Sequence, residues 1–239
     1  MKKTAILLMA LVCCTSISYA QEKQASPNGN VAVEFNIVDG IPYYAVEYKN
    51  QPVINPSRMG LELINDYSLI DNFSIVNVSH SSFDETWTPV WGETSTIRNN
   101  YNEMEVQLQQ NIPGKDPKSS RRLLTIRFRV YDDGVGFRYE FPEQANLTYF
   151  TIKEEYTEFA MTGNHTAYWI PGDYDTQEYD YTISRLTQIN DLFDKAYTGN
   201  SSQTAFSKTG VQTSLQLKTD EGLYINIHEA ALVDYACMH

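Results

Sequence analysis

Four carboxylates and four aromatic rings crowd one short stretch of this chain. Residues 169–181 hold Asp173, Asp175, Glu178 and Asp180 among Trp169, Tyr174, Tyr179 and Tyr181. Carboxylate oxygens suit a hard cation. Flat aromatic faces suit a polar ring such as a sugar. Pro171 and Gly172 interrupt any strand entering the stretch, which predicts a loop. Asp173 and Asp175 have the first two spacings of an EF-hand loop, but Gln177 holds its fifth position and Glu178 stands where glycine is needed. A self-contained calcium loop is therefore excluded, and a carboxylate here can serve only a site completed from elsewhere.

Other candidate groups have weaker spacing. The histidines are His80, His165, His228 and His239, and none pairs at zinc-ligand spacing. His228 and Glu229 offer an acid and a base, but neighbours in a strand face apart. Asp84, Glu85 and Glu93 lie near Trp87 and Trp91, as carboxylates flanking a sugar do. The adjacency of Asp84 and Glu85 points them to opposite sides of an extended chain, so an aromatic-packed loop is the expected reading. Arg127 and Arg129 fall on the polar side of an alternating run and should pair with acids.

These groups must be held by a sizeable domain. The chain has 239 residues, 42% of them hydrophobic, and 17 tyrosines. Lys and Arg total 18 against 30 Asp and Glu, a formal charge of −12. Such an acidic balance excludes nucleic acid as the expected partner, since phosphate contacts need basic surface. Residues 1–20 read as a secretory signal peptide: Lys2-Lys3, a short apolar run from Ala5 to Val12, and a small-x-small site at Ser18-Tyr19-Ala20. The run is too short to span a membrane as a helix. A lipid anchor on Cys13 or Cys14 is disfavoured by the bulk of Val12. The expectation is a periplasmic or otherwise exported protein, with Cys237 alone left after cleavage and no disulfide.

Period-two runs dominate the rest. Residues 21–30 read as a flexible lead. Val31–Ile37 and Tyr44–Tyr48 flank Asp39-Gly40, a hairpin signal. A turn is expected at Asn50-Gln51, with short strands at Leu61–Leu63 and Phe73–Val78. Residues 83–103 alternate poorly and read as a long connection, with a strand from Met104 to Leu108. Leu124–Val130 and Val135–Phe141 flank Asp133-Gly134, the strongest hairpin signal in the chain. Further strands are expected at Leu147–Ile152, Tyr168–Ile170, Val211–Leu217 and Leu223–Ile227. One helix is expected from Ile183 through Tyr197, capped by Thr182 or Ser184 and ended by Gly199. The sum is a large all-β antiparallel sandwich with one or two short helices.

Several longer phrases carry a resemblance. Phe83–Trp87 with Pro89–Glu93, Ile97–Asn99 with Tyr101–Glu103, Asp133–Pro142, Trp169–Asp175 and Gly222–Leu232 are similar to the N-terminal domain of glycoside hydrolase family 97. The family comprises exported bacterial α-glycosidases, and the phrases look most like α-glucosidases of starch-utilisation systems. The resemblance implies a β-super-sandwich related to galactose mutarotase over residues 31–239, followed in the family by a catalytic (β/α)8 barrel. It implies that the barrel holds the catalytic carboxylates and most ligands of an active-site calcium. One ligand comes from the N-terminal domain, and Glu178 matches it. Gly199, Asn200 and Ser201 align with a stretch expected to approach the substrate, α-linked glucose oligosaccharides. The chain stops at His239 before any barrel, so a truncated chain, inactive by itself, is expected. Two alternatives stand: a carbohydrate-binding module stacking sugars on Trp169, Tyr174 and Tyr179, or a mutarotase-like epimerase using His228 and Glu229.

Overall fold

The computed structural model describes residues 21–116 and 119–238. The expected signal peptide, residues 1–20, and His239 lie outside the described residues. Two four-stranded antiparallel meanders form the main sandwich. The first runs β1 (Glu22–Ala25), β2 (Val31–Val38), β3 (Ile41–Tyr48) and β4 (Gln51–Arg58). β5 (Leu61–Leu63) follows. The second meander runs β6 (Phe73–Trp87), β7 (Ile97–Asn111), β8 (Arg121–Tyr131) and β9 (Gly134–Glu140). β10 (Ile152–Glu155) then pairs back onto β5.

The inner faces share one core. Val33 and Phe35 of β2, Tyr44 of β3 and Ile54 of β4 meet Met104, Val106 and Leu108 of β7 and Ile126, Phe128 and Val130 of β8. The Phe35 and Phe128 rings sit 5.9 Å apart and those of Tyr44 and Phe137 5.3 Å. On the opposite side of β7 and β8, Arg127 bonds Glu103, Glu105 and Glu140, and Arg129 bonds Glu103, the pairing that the alternation predicted.

A third sheet carries the candidate loop. It is made of β11 (Thr166–Trp169), β12 (Thr182–Arg185), β13 (Leu215–Lys218) and β14 (Tyr224–Ile227), in the order β12-β11-β13-β14. A single 3-10 turn (Leu186–Gln188) leads into α1 (Ile189–Ala196). Ile189, Phe193 and Ala196 of α1 cover Ala167, Trp169 and Leu217 to form a second core. The all-β antiparallel sandwich with one short helix is therefore present.

Several local expectations are corrected. Residues 22–25 are a strand, not a flexible lead: Lys23 is clasped by Glu34 and Glu47, and Gln24 pairs with Val33. The turn after β3 is Lys49-Asn50, both left-handed at φ 51° and 61°. Residues 83–103 are not a connection but the two arms of one long hairpin, paired in register from Phe83↔Tyr101 to Trp87↔Ile97. Residues 147–151 are not a strand. The turn there is tied by Asn146 to the carbonyls of Ser119 and Arg121, and Leu147 plugs the main core from it. Thr182–Arg185 is captured by β11 instead of starting a helix, with Ile183 opposite Tyr168. Helix α1 is closed by the Tyr197 N–H on the Phe193 carbonyl, before Gly199 is reached. Strand β13 begins only at Leu215, because Val211 instead bridges Pro171.

Candidate functional site

The 170–181 loop leaves the buried end of β11 and returns as β12. Beside it runs the 197–214 segment between α1 and β13. Backbone contacts join them: Gly172 N–H to Gly210 O at 2.9 Å, and Tyr174 N–H to Thr204 O at 3.0 Å. The Phe206 ring is wedged between two glycines. A Cβ on Gly172 would lie 2.1 Å from Phe206 Cζ, and one on Gly210 would lie 2.0 Å from Cε2. Only residues without a side chain allow the loops this close.

Asp173 ties the junction. Its side chain is almost wholly inaccessible, at 2% exposure. Oδ1 accepts the N–H groups of Asp175, Thr176 and Thr204, at 2.8, 3.3 and 3.0 Å. Oδ2 accepts the Tyr179 hydroxyl at 2.9 Å and shares the Thr204 N–H at 3.0 Å. Burial pushes this carboxyl upward. The Thr204 and Asp175 amides and the Tyr179 and Tyr197 hydroxyls outweigh it and hold the pKa down at about 2. Burial raises the pKa of Tyr179, so its hydroxyl stays a donor. Gln212 extends the knot by donating to the Asp173 carbonyl at 2.6 Å. Asp175 accepts the hydroxyls of Ser202 and Thr204, at 3.1 and 2.6 Å. Asp173 and Asp175 thus shape the turn.

Glu178 stands on the outer rim of this knot. Its backbone N–H donates to Thr176 Oγ1 at 3.1 Å and its carbonyl accepts Asn200 Nδ2 at 3.3 Å. Its exposed carboxylate makes no hydrogen bond or ion pair with a described residue. The structure thus brings together two residues that sequence comparison singled out separately, Glu178 and Asn200. Gly199 and Ser201, flanking Asn200, are exposed on the same rim. As a donor set for calcium, this is one hard oxygen arm. Among the described residues there is no group of three or more His, Cys, Asp or Glu placed to hold a metal, and calcium takes six to eight oxygens. By itself Glu178 falls short of that number.

The other candidates disperse. Trp169 is fully buried, with its indole N–H on Ser184 Oγ at 3.0 Å, and Tyr179 is stacked on Tyr197 inside the knot. Neither can stack a sugar; Tyr174, 66% exposed, leans on Phe206. His228 Nδ1 turns to the backbone carbonyl of Glu229, whose carboxylate accepts the Met238 N–H, so the two side chains do not converge. Asp84 is clamped by Arg98. His80 and His165 bond Gln24 and Thr162. Gln203, Thr204 and Gln212 belong to the knot but were not singled out from sequence. They carry no pattern of their own, and only the fold brings them to Asp173.

Residues 25–239 match the family described as glycosyl-hydrolase 97 N-terminal. The chain is similar to a glycoside hydrolase family 97 enzyme from Pseudoalteromonas sp. solved in complex with panose, with 34% identity and a TM-score of 0.75 over 91% of this chain. The same figures hold for the enzyme from that organism in complex with acarbose. A retaining alpha-galactosidase of Bacteroides thetaiotaomicron is 26% identical over 203 residues, 80% of this chain. A beta-arabinopyranosidase, 18% identical with a TM-score of 0.71, shares the fold. The chain spans 28% of the alpha-galactosidase and 30% of each Pseudoalteromonas structure. By sequence match and by architecture, this chain belongs to the N-terminal domain family of glycoside hydrolase 97.

Proposed function

We propose that this domain works as the supporting half of an exported α-glucoside hydrolase, packed on a catalytic barrel and lending one carboxylate to its active-site calcium. The observation that carries the reading is the rim of the Asp173 knot. There Glu178 presents an exposed carboxylate from a loop whose Asp175 and Thr176 N–H groups are held by the buried Asp173 carboxylate, with Asn200 tied to the Glu178 carbonyl. A ligand arm on a rigid base keeps its geometry when the other ligands arrive from a second module. Calcium bound there would polarise the site and favour proton donation to the leaving oxygen. In this chain Glu178 would supply an oxygen donor, and the 199–201 turn would wall the sugar. The acid and base of glycoside cleavage lie outside this domain in the proposal, so the chain alone binds calcium weakly and does not hydrolyse glycosides. In this reading residues 1–20 serve as the export signal of a periplasmic or otherwise exported enzyme.

Relatives support an α-linked glucose oligosaccharide as the substrate. The relative solved with panose and with acarbose is 34% identical, against 26% for the alpha-galactosidase. The test joins this chain to the catalytic portion of the Pseudoalteromonas enzyme, in place of that enzyme's own matching region. Hydrolysis of maltose and of an α-galactoside is then followed across a calcium titration. Glu178→Gln is expected to raise the half-saturating calcium at least tenfold. An unchanged calcium requirement removes Glu178 from the site, and preferential α-galactoside cleavage replaces the substrate class. Hydrolysis by the unjoined chain would refute the supporting role.

A further inference from the structure

The long β6–β7 hairpin outgrows the sandwich. Strand β8 pairs with β7 only from Asn102 onward, whereas β6 stays paired with β7 out to Trp87↔Ile97. The outer part of the hairpin is therefore a two-stranded ribbon with a tip at residues 88–96. Its apolar side is reversed relative to the sandwich. Met104, Val106 and Leu108 of β7 face the core, but Ile97 and Tyr101 have the opposite parity and face the other way. Their cross-strand partners, Trp87 and Phe83, share that outward face. Phe83 and Tyr101 stack at 5.3 Å and are anchored to the sandwich through Tyr131. Beyond them the described residues leave the ribbon open: Trp87 is 47% exposed, Trp91 88% and Val90 100%.

A two-stranded ribbon is marginal in water without something packed on its apolar face, and clustered exposed apolar side chains mark contact surfaces. The charges say what kind of contact. Glu85 sits in the middle of the apolar face, between Phe83 and Trp87, and Glu93 sits at the tip. Neither carboxylate makes an ion pair with a described residue, whereas Asp84, on the opposite face, is held by Arg98 at 2.7 and 2.8 Å. A matching surface needs an apolar pocket with a basic group beside it. A second copy of this chain, itself carrying a formal charge of −12, is a poor match. This domain makes up only 28–30% of the relatives' chains, so a large further body shares its polypeptide there.

We propose that residues 83–97 form a docking arm for the catalytic portion carried by the family's enzymes, seating Trp87, Val90 and Trp91 in an apolar pocket that sets a Lys or Arg opposite Glu85. The proposal rests on reading this chain as one module of a larger enzyme, but not on Glu178 or calcium. Hydrogen exchange tests it in the same joined protein used above, where linkage keeps the effective concentration high. Amides of residues 85–98 should exchange at least tenfold more slowly in the joined protein than in the chain alone. Trp91→Ala and Glu85→Lys should each return that exchange most of the way to the free rate, without lowering the melting temperature of the unjoined chain. Exchange in the arm that is unchanged by joining overturns the proposal. So does protection that arises in the unjoined chain at high concentration, which would mean a second copy, or on adding maltooligosaccharide, which would mean a sugar surface. A joined protein with a free arm and a Glu178-dependent calcium requirement sinks the arm and leaves the proposed function standing. A protected arm with no role for Glu178 does the reverse.

Discussion

The 169–181 loop and the 83–97 ribbon are built from the same kinds of residue and end up opposite in character. Each mixes tryptophan with aspartate and glutamate, and neither alternates cleanly in sequence. In the loop, Trp169 is fully buried and Asp173 is 2% exposed. In the ribbon, Trp91 is 88% exposed and Glu85 lies open on an apolar face. The difference lies in where the backbone polar groups find partners. The loop's amides converge on one carboxylate, which draws the aromatics in behind it. The ribbon's amides are satisfied by β6–β7 pairing, so its side chains are left over for another surface. Composition alone does not separate a structural knot from a contact surface.

The largest effect should come from the loop's buried indole. Trp169→Ala is expected to cost about 4 kcal/mol, read from the denaturant midpoint, because it empties the second core beneath α1. A cost under about 1 kcal/mol would mean that this core does not hold the loop.

Asp173→Asn comes next, at about 2 kcal/mol at neutral pH, since an amide accepts fewer and weaker bonds from the five donor contacts around it. Acid should erase part of that gap. The folded-state pKa of about 2 lies below the unfolded carboxyl value of about 3.9. The ionised group's contribution is therefore complete above about pH 4 and is lost as pH falls through about 2. Wild type and variant should converge over that window in pH-dependent unfolding. A gap that stayed constant from pH 5 to pH 2 would show that the carboxylate charge is not what joins the loops.

The smallest effect on the unjoined chain should be that of Trp91→Ala, within about 0.5 kcal/mol by the same denaturation, as for other exposed positions. A loss approaching that of Trp169→Ala would erase the contrast between the two regions and show that the ribbon packs on its own domain.

Much of the frame was legible along the chain. Asp39-Gly40 between two alternating runs specified the β2–β3 hairpin, and both residues take the left-handed conformation that such a turn needs. The Leu124–Val130 and Val135–Phe141 runs specified β8 and β9 in the same way. The alternation of Arg127 and Arg129 with core residues foretold their pairing with acids. The ribbon was missed because its apolar residues change sides between Tyr101 and Met104, so a period-two reading loses phase there. The helix was placed too early because β11 offered Thr182–Arg185 a pairing partner from thirteen or more residues away, which no local propensity contains.

What the sequence by itself determined is most of the strands in the two main meanders, the antiparallel class, the acidic character and the family to which the chain belongs. All of these rest on periodicities and phrases carried by neighbouring residues. The tertiary structure decided which carboxylates turn inward and which tryptophans stay out. Thr204 reaches Asp173 across 31 positions of chain, and Trp87 faces outward through its pairing with Ile97 across the hairpin. Burial and hydrogen bonding are set by partners distant in sequence, so the surroundings of Asp173, Glu178 and Trp91 diverge only once the sheets have closed.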